Sequence, residues 1–286
     1  MLHAAGIQAV QLANNHVLDF NERGLVDTLK ELDAAGIARA GAGRNLDEAR
    51  AAGWFTASAD AGGERLPLHV ALLAAADHPE EWAAGADTPG TNIFAPFPSA
   101  DALAWARGAA ARARDDGADL VVLGAHYGGN YVMRPPADVR AFARQLMETT
   151  EVDILFGNSA HVEQGVEVHN GRLIIYQAGD FLDDYATDQA WRNDWGASFT
   201  ARFRLPAASE TPATPGALRR ARPQLESVEV VPLQLSFART CVSPPGARTT
   251  RAMAARLQKL CAELGTNFDV DAHTGVLRWQ GRTASV

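Results

Sequence analysis

The chain has 286 residues, of which 47% are hydrophobic and 21% charged, with a net charge of −8 and a pI near 5.5. That length supports one large α/β domain, or a domain with a small appendage, and the composition is globular rather than disordered or fibrous. The acidic balance argues against a nucleic-acid or anionic-membrane binder, whose electrostatic footprint would be basic.

Ile7 to Leu12 is a short apolar run ending in a polar cluster, which predicts a buried strand entering a site loop. From Glu22 to Ala35 the residues Leu25, Leu29 and Leu32 keep helical spacing, and Gly36 supplies the stop. Ile37 to Ala40 reads as another strand, followed by Gly41-Ala42-Gly43 and a helix over Leu46 to Ala51 capped by Asn45. Leu66 to Ala75 is strand-like. Asp77 to Pro98, rich in Gly, Pro, Asp and Thr, predicts a long surface loop near the site.

Helical pattern resumes over Ser99 to Asp116, and Asp119 to Leu123 is a core strand leading to Gly124-Ala125-His126. Pro135-Pro136 precedes a helix over Ala137 to Thr149, with proline in the first turn where it costs no hydrogen bond. A strand over Asp153 to Phe156 then enters Gly157-Asn158-Ser159-Ala160-His161. Asn170-Gly171 between two apolar runs, Val162 to Val168 and Leu173 to Tyr176, is a strong hairpin signal. Strands over Ala197 to Leu205 and Ser227 to Ser236 flank an Ala/Pro/Thr-rich loop, and a helix over Ala247 to Leu264 precedes a last strand over Gly275 to Gln280. The expected organisation is a domain over 1–205, a loop over 206–223 and a β/α extension over 224–286 packed on the same domain.

Cys241 and Cys261 have no metal-ligand spacing, and a reducing cytoplasm is the simpler reading of them. The start has neither a basic segment nor a sustained apolar core of the signal-peptide kind, and no run approaches the about 18 apolar residues of a membrane span.

Three segments at predicted strand exits hold the candidate chemistry: Ala13 to Asp19, Gly124 to Tyr131, and Gly157 to His161 with Gln164 to Glu167. Ligand sites of open α/β sheets form at such carboxyl ends. Each segment places imidazole or amide groups in a Gly- or Asn-rich turn, and imidazole suits zinc while carboxylate and amide oxygens suit harder ions such as manganese. From the residues alone, metal ligands and hydrogen-bonded surface histidines stay open as readings. For Gly41-Ala42-Gly43 a plain strand-to-helix turn is favoured over a phosphate cradle.

Ala13-Asn14-Asn15-His16…Asp19 with Gly24-Leu25-Val26-Asp27-Thr28-Leu29 and Gly36-Ile37…Gly41-Ala42-Gly43 resembles the opening block of the CapA family of capsule and poly-γ-glutamate synthesis. His126-Tyr127-Gly128…Asn130-Tyr131 resembles its second block, with Tyr for Trp. Gly157 to Glu167 and Asn170 to Phe181 resemble its third. Agreement runs over roughly the first 185 positions.

The resemblance implies a calcineurin-like, four-layer α/β/β/α metallophosphatase sandwich, N-terminally incomplete, with its opening carboxylate motifs upstream of Met1. It also implies one or two divalent metal ions (Mn, Zn or Fe) on Asn15, His126, Asn158 and His161, with Asn158 standing where the family has histidine. His16 would protonate a leaving group, Asp19 would orient it, and Tyr127, Asn130 and Asp180 would contact substrate. Asp180, Asp183 and Asp184 are the acids that would compensate for the missing carboxylates.

The implied function is metal-dependent hydrolysis of a phosphoester, or of an amide or isopeptide related to poly-γ-glutamate. Three rivals stand beside it: a non-catalytic accessory or binding protein, a reading frame whose true start lies upstream, and a metal-independent enzyme using His16 and His126 as acid and base. The oligomeric state is not legible.

Overall fold

The computed structural model describes residues 2–61, 64–184, 187–204 and 222–281. They fall into two compact units, one built on 2–127 and 138–155, the other on 128–137, 156–204 and 223–281. The mixed α/β class expected from the sequence is the class observed.

In the first unit, β1 (Ala9–Gln11) pairs in parallel with β2 (Ala38–Ala40), and α1 (Asn21–Ala34) crosses between them. Leu25, Leu29 and Leu32 lie on the buried face of α1, and Gly36 takes φ +66° just past its end. β3 (Ala42–Gly43) leads into α2 (Leu46–Arg50), where Asn45 caps the helix by accepting from the Glu48 N–H at 2.9 Å. A Cβ on Gly43 would collide with the Ala49 nitrogen, so this glycine admits the close approach of α2, as the turn reading expects.

β4 (Gly53–Ala61) is a strand that the sequence pattern does not predict. Its Ala- and Asp-rich second half carries no alternation, and the strand owes its regularity to antiparallel pairing with β5 (Glu64–Ala76). The expected surface loop over Asp77 to Pro98 is partly interior. β6 (Gly90–Thr91) pairs with β3, and Thr91, Asn92 and Phe94 are buried. The Asn92 amide makes this possible: its Nδ2 donates to the Ala74 carbonyl at 2.9 Å, satisfying polar groups that burial would otherwise orphan.

α3 (Ala100–Asp115), capped by Ser99, connects β5 to β7 (Leu120–His126), which runs parallel to it. From α3, Arg114 donates to the carbonyls of Ala118 and Asp119 and pairs with Asp153, both side chains being buried. α4 (Ala137–Thr149) follows, with Val139, Phe142, Ala143, Leu146 and Met147 on its inner face. The core near the β1 exit is made mostly of small residues, Ala13, Ala40, Ala74 and Ala76, around Leu72.

The chain passes along β8 (Ile154–Asn158) and enters the second unit. There β9 (Glu163–His169) and β10 (Arg172–Ala178) form the expected hairpin, with Asn170 and Gly171 at φ +50° and +74° as a type I′ turn requires. β11 (Trp195–Arg204), β12 (Gln224–Ser236) and β13 (Arg239–Val242) are antiparallel neighbours in that order. α5 (Arg248–Glu263) lies against β9. The Cys261 thiol accepts from the Val166 N–H at 3.3 Å, and a Cβ on Gly165 would stand 3.0 Å from Leu260. β14 (Asp269–Val270) and β15 (Leu277–Gln280) complete the sheet through β12. The loop expected over 206–223 lies outside the described residues except at 222 and 223.

Candidate functional site

In the first unit, β1 opens into a turn in which the Asn14 side chain accepts from the His16 N–H at 2.8 Å. This turn holds His16 outward, 57% exposed, with its Nδ1 at 2.8 Å from Asp19 Oδ2. A proton shared between Nδ1 and Asp19 leaves Nε2 as the nitrogen that meets an outside partner. Asn15 is half-buried beside them.

β7 delivers His126 in a buried position, with its ring 5.2 Å from that of His78, whose Nδ1 bonds Asp77. Tyr127, expected at the substrate, is only 3% exposed, with its ring 5.0 Å from Phe97.

In the second unit, Asn158 is half-buried at the end of β8, and Asn130 is exposed in the loop after β7. Ser159 and His161 both take left-handed backbone conformations, at φ +125° and +57°. Such residues cost about 1–3 kcal/mol each and persist only where the surroundings over-determine them. Three bonds do so here. The Ser159 hydroxyl donates to the Gly128 carbonyl at 2.9 Å, the Ala160 N–H to Gln177 Oε1 at 3.1 Å, and the Tyr131 N–H to the Ala160 carbonyl at 2.7 Å.

The outcome is a fixed imidazole. His161 Nδ1 lies 3.0 Å from both carboxylate oxygens of Asp180, and that carboxylate holds the imidazole pKa above its ordinary value against the opposing effect of burial. Asp183 joins them: one ligand atom from each of His161, Asp180 and Asp183 lies within 4.8 Å of the others. An imidazole with two carboxylates is a donor set that manganese, zinc and iron all accept, so these residues fit a divalent cation.

The loop carrying both acids is held from below. A Cβ on Gly196 would collide with the Asp180 carbonyl oxygen, so only glycine allows this approach. The Ala238 N–H donates to the Asp183 carbonyl at 3.1 Å, and the Thr240 hydroxyl donates to that of Phe181. Beneath His161, Glu163 is fully buried, with Oε2 at 2.9 Å from Arg256 Nη2. Burial pushes its carboxyl up to about 7 while the guanidinium opposes the rise.

The structure thus brings His16 to Asp19 within the first unit and His161 to Asp180 within the second. Asn15, His126 and Tyr127 belong to the first unit; Asn130, Asn158 and His161 belong to the second. Asp180, expected to touch substrate, stands in the position of a metal-compatible group. Gly196 and the buried Glu163–Arg256 pair carry no signal of their own in the sequence, because each acts through a partner distant in the chain.

Residues 1–185 match the family described as bacterial capsule synthesis protein PGA_cap, the same stretch over which the CapA resemblance runs. A probable polyglutamine synthesis accessory protein of Mycobacterium tuberculosis is 33% identical over 230 residues, covering 80% of this chain and 56% of the relative. The capsule biosynthesis protein CapA of Bacillus anthracis is 29% identical over 191 residues, covering 65% of this chain and 42% of its own length. This chain therefore spans about half the length of the curated relatives it matches. Among solved structures, the calcineurin-like phosphoesterase YfkN of Bacillus subtilis aligns over 85% of this chain and 63% of its own, at 12% identity and a TM-score of 0.44. The conserved-block resemblance and the match over 1–185 agree: the chain belongs to the bacterial capsule synthesis protein family PGA_cap.

Proposed function

We propose that this chain serves the synthesis of a capsule or poly-γ-glutamate polymer, and that its second unit holds a divalent cation on His161, Asp180 and Asp183. The observation that carries the reading is the mutual approach of those three ligand atoms within 4.8 Å. When bound, such an ion supplies Lewis-acid polarisation and a nucleophilic water at neutral pH. The chain's own residues do the rest: the left-handed Ser159 and His161 fix the imidazole, and Gly196 sets the height of Asp180.

His16 is the proposed proton donor to a leaving group. Asp19 at 2.8 Å orients the ring through Nδ1 and leaves Nε2 to the leaving group. The reaction class is hydrolysis of a phosphoester, or of an amide or isopeptide of the polymer. A cytoplasmic setting is supported by two cysteines that stay unpaired, Cys241 half-buried and Cys261 buried. Among the described residues, no helix is long and apolar enough to cross a membrane.

Asn158, standing in place of a histidine, favours a second reading: an accessory protein that keeps the cation site for binding alone. One experiment separates the two. Metal content is measured on chelator-stripped, manganese- or zinc-reconstituted protein, with hydrolysis of p-nitrophenyl phosphate and a γ-glutamyl amide. Metal lost in Asp183→Asn, together with turnover lost in His16→Ala, supports the hydrolase. Metal without turnover supports the accessory protein, and no metal at all overturns the site.

A further inference from the structure

Beside the cation group stands an aromatic feature that the proposed chemistry does not use. The Tyr131 ring lies 6.0 Å from the His161 ring and 6.1 Å from the Trp191 ring, with the Tyr131 and Trp191 planes only 14° apart. Trp191 is 38% exposed and Tyr131 half-buried. Leaving indole surface in water forgoes the stabilisation its burial would give, so the way it is held is informative.

The turn bearing Trp191 is closed by a set of hydrogen bonds. Asp188 Oδ1 accepts from the N–H groups of Ala190 and Trp191 at 2.7 and 3.2 Å. The Arg192 N–H donates to the Asp188 carbonyl at 2.7 Å, and Arg256 Nη1 donates to the Trp191 carbonyl at 2.9 Å. Tyr131, like Arg192, is held at positive φ, +61° and +55° respectively. Backbone bonds and positive-φ dihedrals therefore set where the chain presents both rings, which serves preorganised binding.

We propose that Trp191 and Tyr131 form a shelf for the apolar face of a pyranose ring, positioned beside His161, Asp180 and Asp183. This rests on the cation-site reading only for its placement next to a reacting group; the shelf itself does not depend on an ion.

The surroundings select the class of ligand. Among the described residues, two cations beside Trp191 are paired: Arg192 makes two 2.7 Å bonds to Asp194, and Arg256 pairs with Glu163. Of the acids there, Asp180 faces the His161 imidazole at 3.0 Å. With these charges paired to one another, what the shelf itself offers is aromatic surface, which favours a ligand with an apolar face. An uncharged sugar meets this, with C–H groups on the rings and hydroxyl groups turned to the polar surroundings.

The test uses calorimetry and saturation-transfer NMR on the full chain, with and without manganese. The probes are an N-acetylglucosamine tetramer, a γ-linked glutamate tetramer and adenosine. The sugar is expected to bind in both states, to weaken about tenfold in Trp191→Ala, and to recover most of its affinity in Trp191→Phe. Asp183→Asn is expected to remove manganese and leave sugar binding intact, so that failure of the ion site and failure of the shelf read separately. Three results would overturn the shelf: no sugar binding, sugar binding indifferent to Trp191→Ala, or adenosine or glutamate binding that Trp191→Ala abolishes.

Discussion

His161 Nδ1 stands at the same distance, 3.0 Å, from both carboxylate oxygens of Asp180. The carboxylate therefore faces the imidazole symmetrically, and either oxygen can turn to a cation while the other keeps the ring in place. Carboxylate–imidazole pairs of this kind commonly orient metal ligands, and their loss weakens metal binding by about 10–100-fold.

Asp180→Asn keeps the shape of the side chain but removes one negative charge and one charged acceptor. Manganese affinity, read by calorimetry, is expected to fall by at least about tenfold. An unchanged affinity would remove Asp180 from the site.

Gly196→Ala tests the support rather than the ligand. The added Cβ collides with the Asp180 carbonyl oxygen and also reaches Leu235 Cδ1, so the loop must shift. The expected cost is about 1–3 kcal/mol in urea unfolding, with weaker manganese binding although no donor atom has been altered. Wild-type stability and affinity would show that the loop position is immaterial.

Asp153 is buried opposite Arg114 and also accepts from the Val121 N–H at 2.8 Å. Removing it leaves a buried guanidinium without its counter-charge. Asp153→Ala is expected to destabilise the chain by about 3–5 kcal/mol by chemical denaturation. A loss below about 1 kcal/mol would mean that water or other carbonyls replace the carboxylate.

Glu48 carries a pH-dependent share of stability. Burial works to raise its carboxyl, but the Arg44 N–H at 2.8 Å and the Arg39 guanidinium at 2.7 Å outweigh it and hold the pKa below the ordinary 4.5. A depressed folded-state pKa gives stability that is present above the unfolded value and lost as pH falls through the folded one. The stability difference between wild type and Glu48→Gln is therefore expected to be full above pH 4.5 and to shrink below it. A difference constant from pH 7 to pH 3 would contradict this.

What the sequence determined by itself was local. The spacing of Leu25, Leu29 and Leu32 set α1, Asn45 and Ser99 set two helix starts, and Asn170-Gly171 set the hairpin, because each signal acts within a few residues. The three Asn/His motifs likewise marked the family through contiguous blocks. Only tertiary structure decided the rest. β4 exists through its pairing with β5, and the loop around Asn92 turns inward because an amide can satisfy the Ala74 carbonyl. The cation group unites His161 with Asp180 and Asp183, about twenty residues downstream, through the turn at Gly179 and the gap left by Gly196. Trp191 reaches Tyr131 across sixty residues of chain. Such pairings depend on backbone path and on space left empty, and neither has a periodicity that a linear reading can detect.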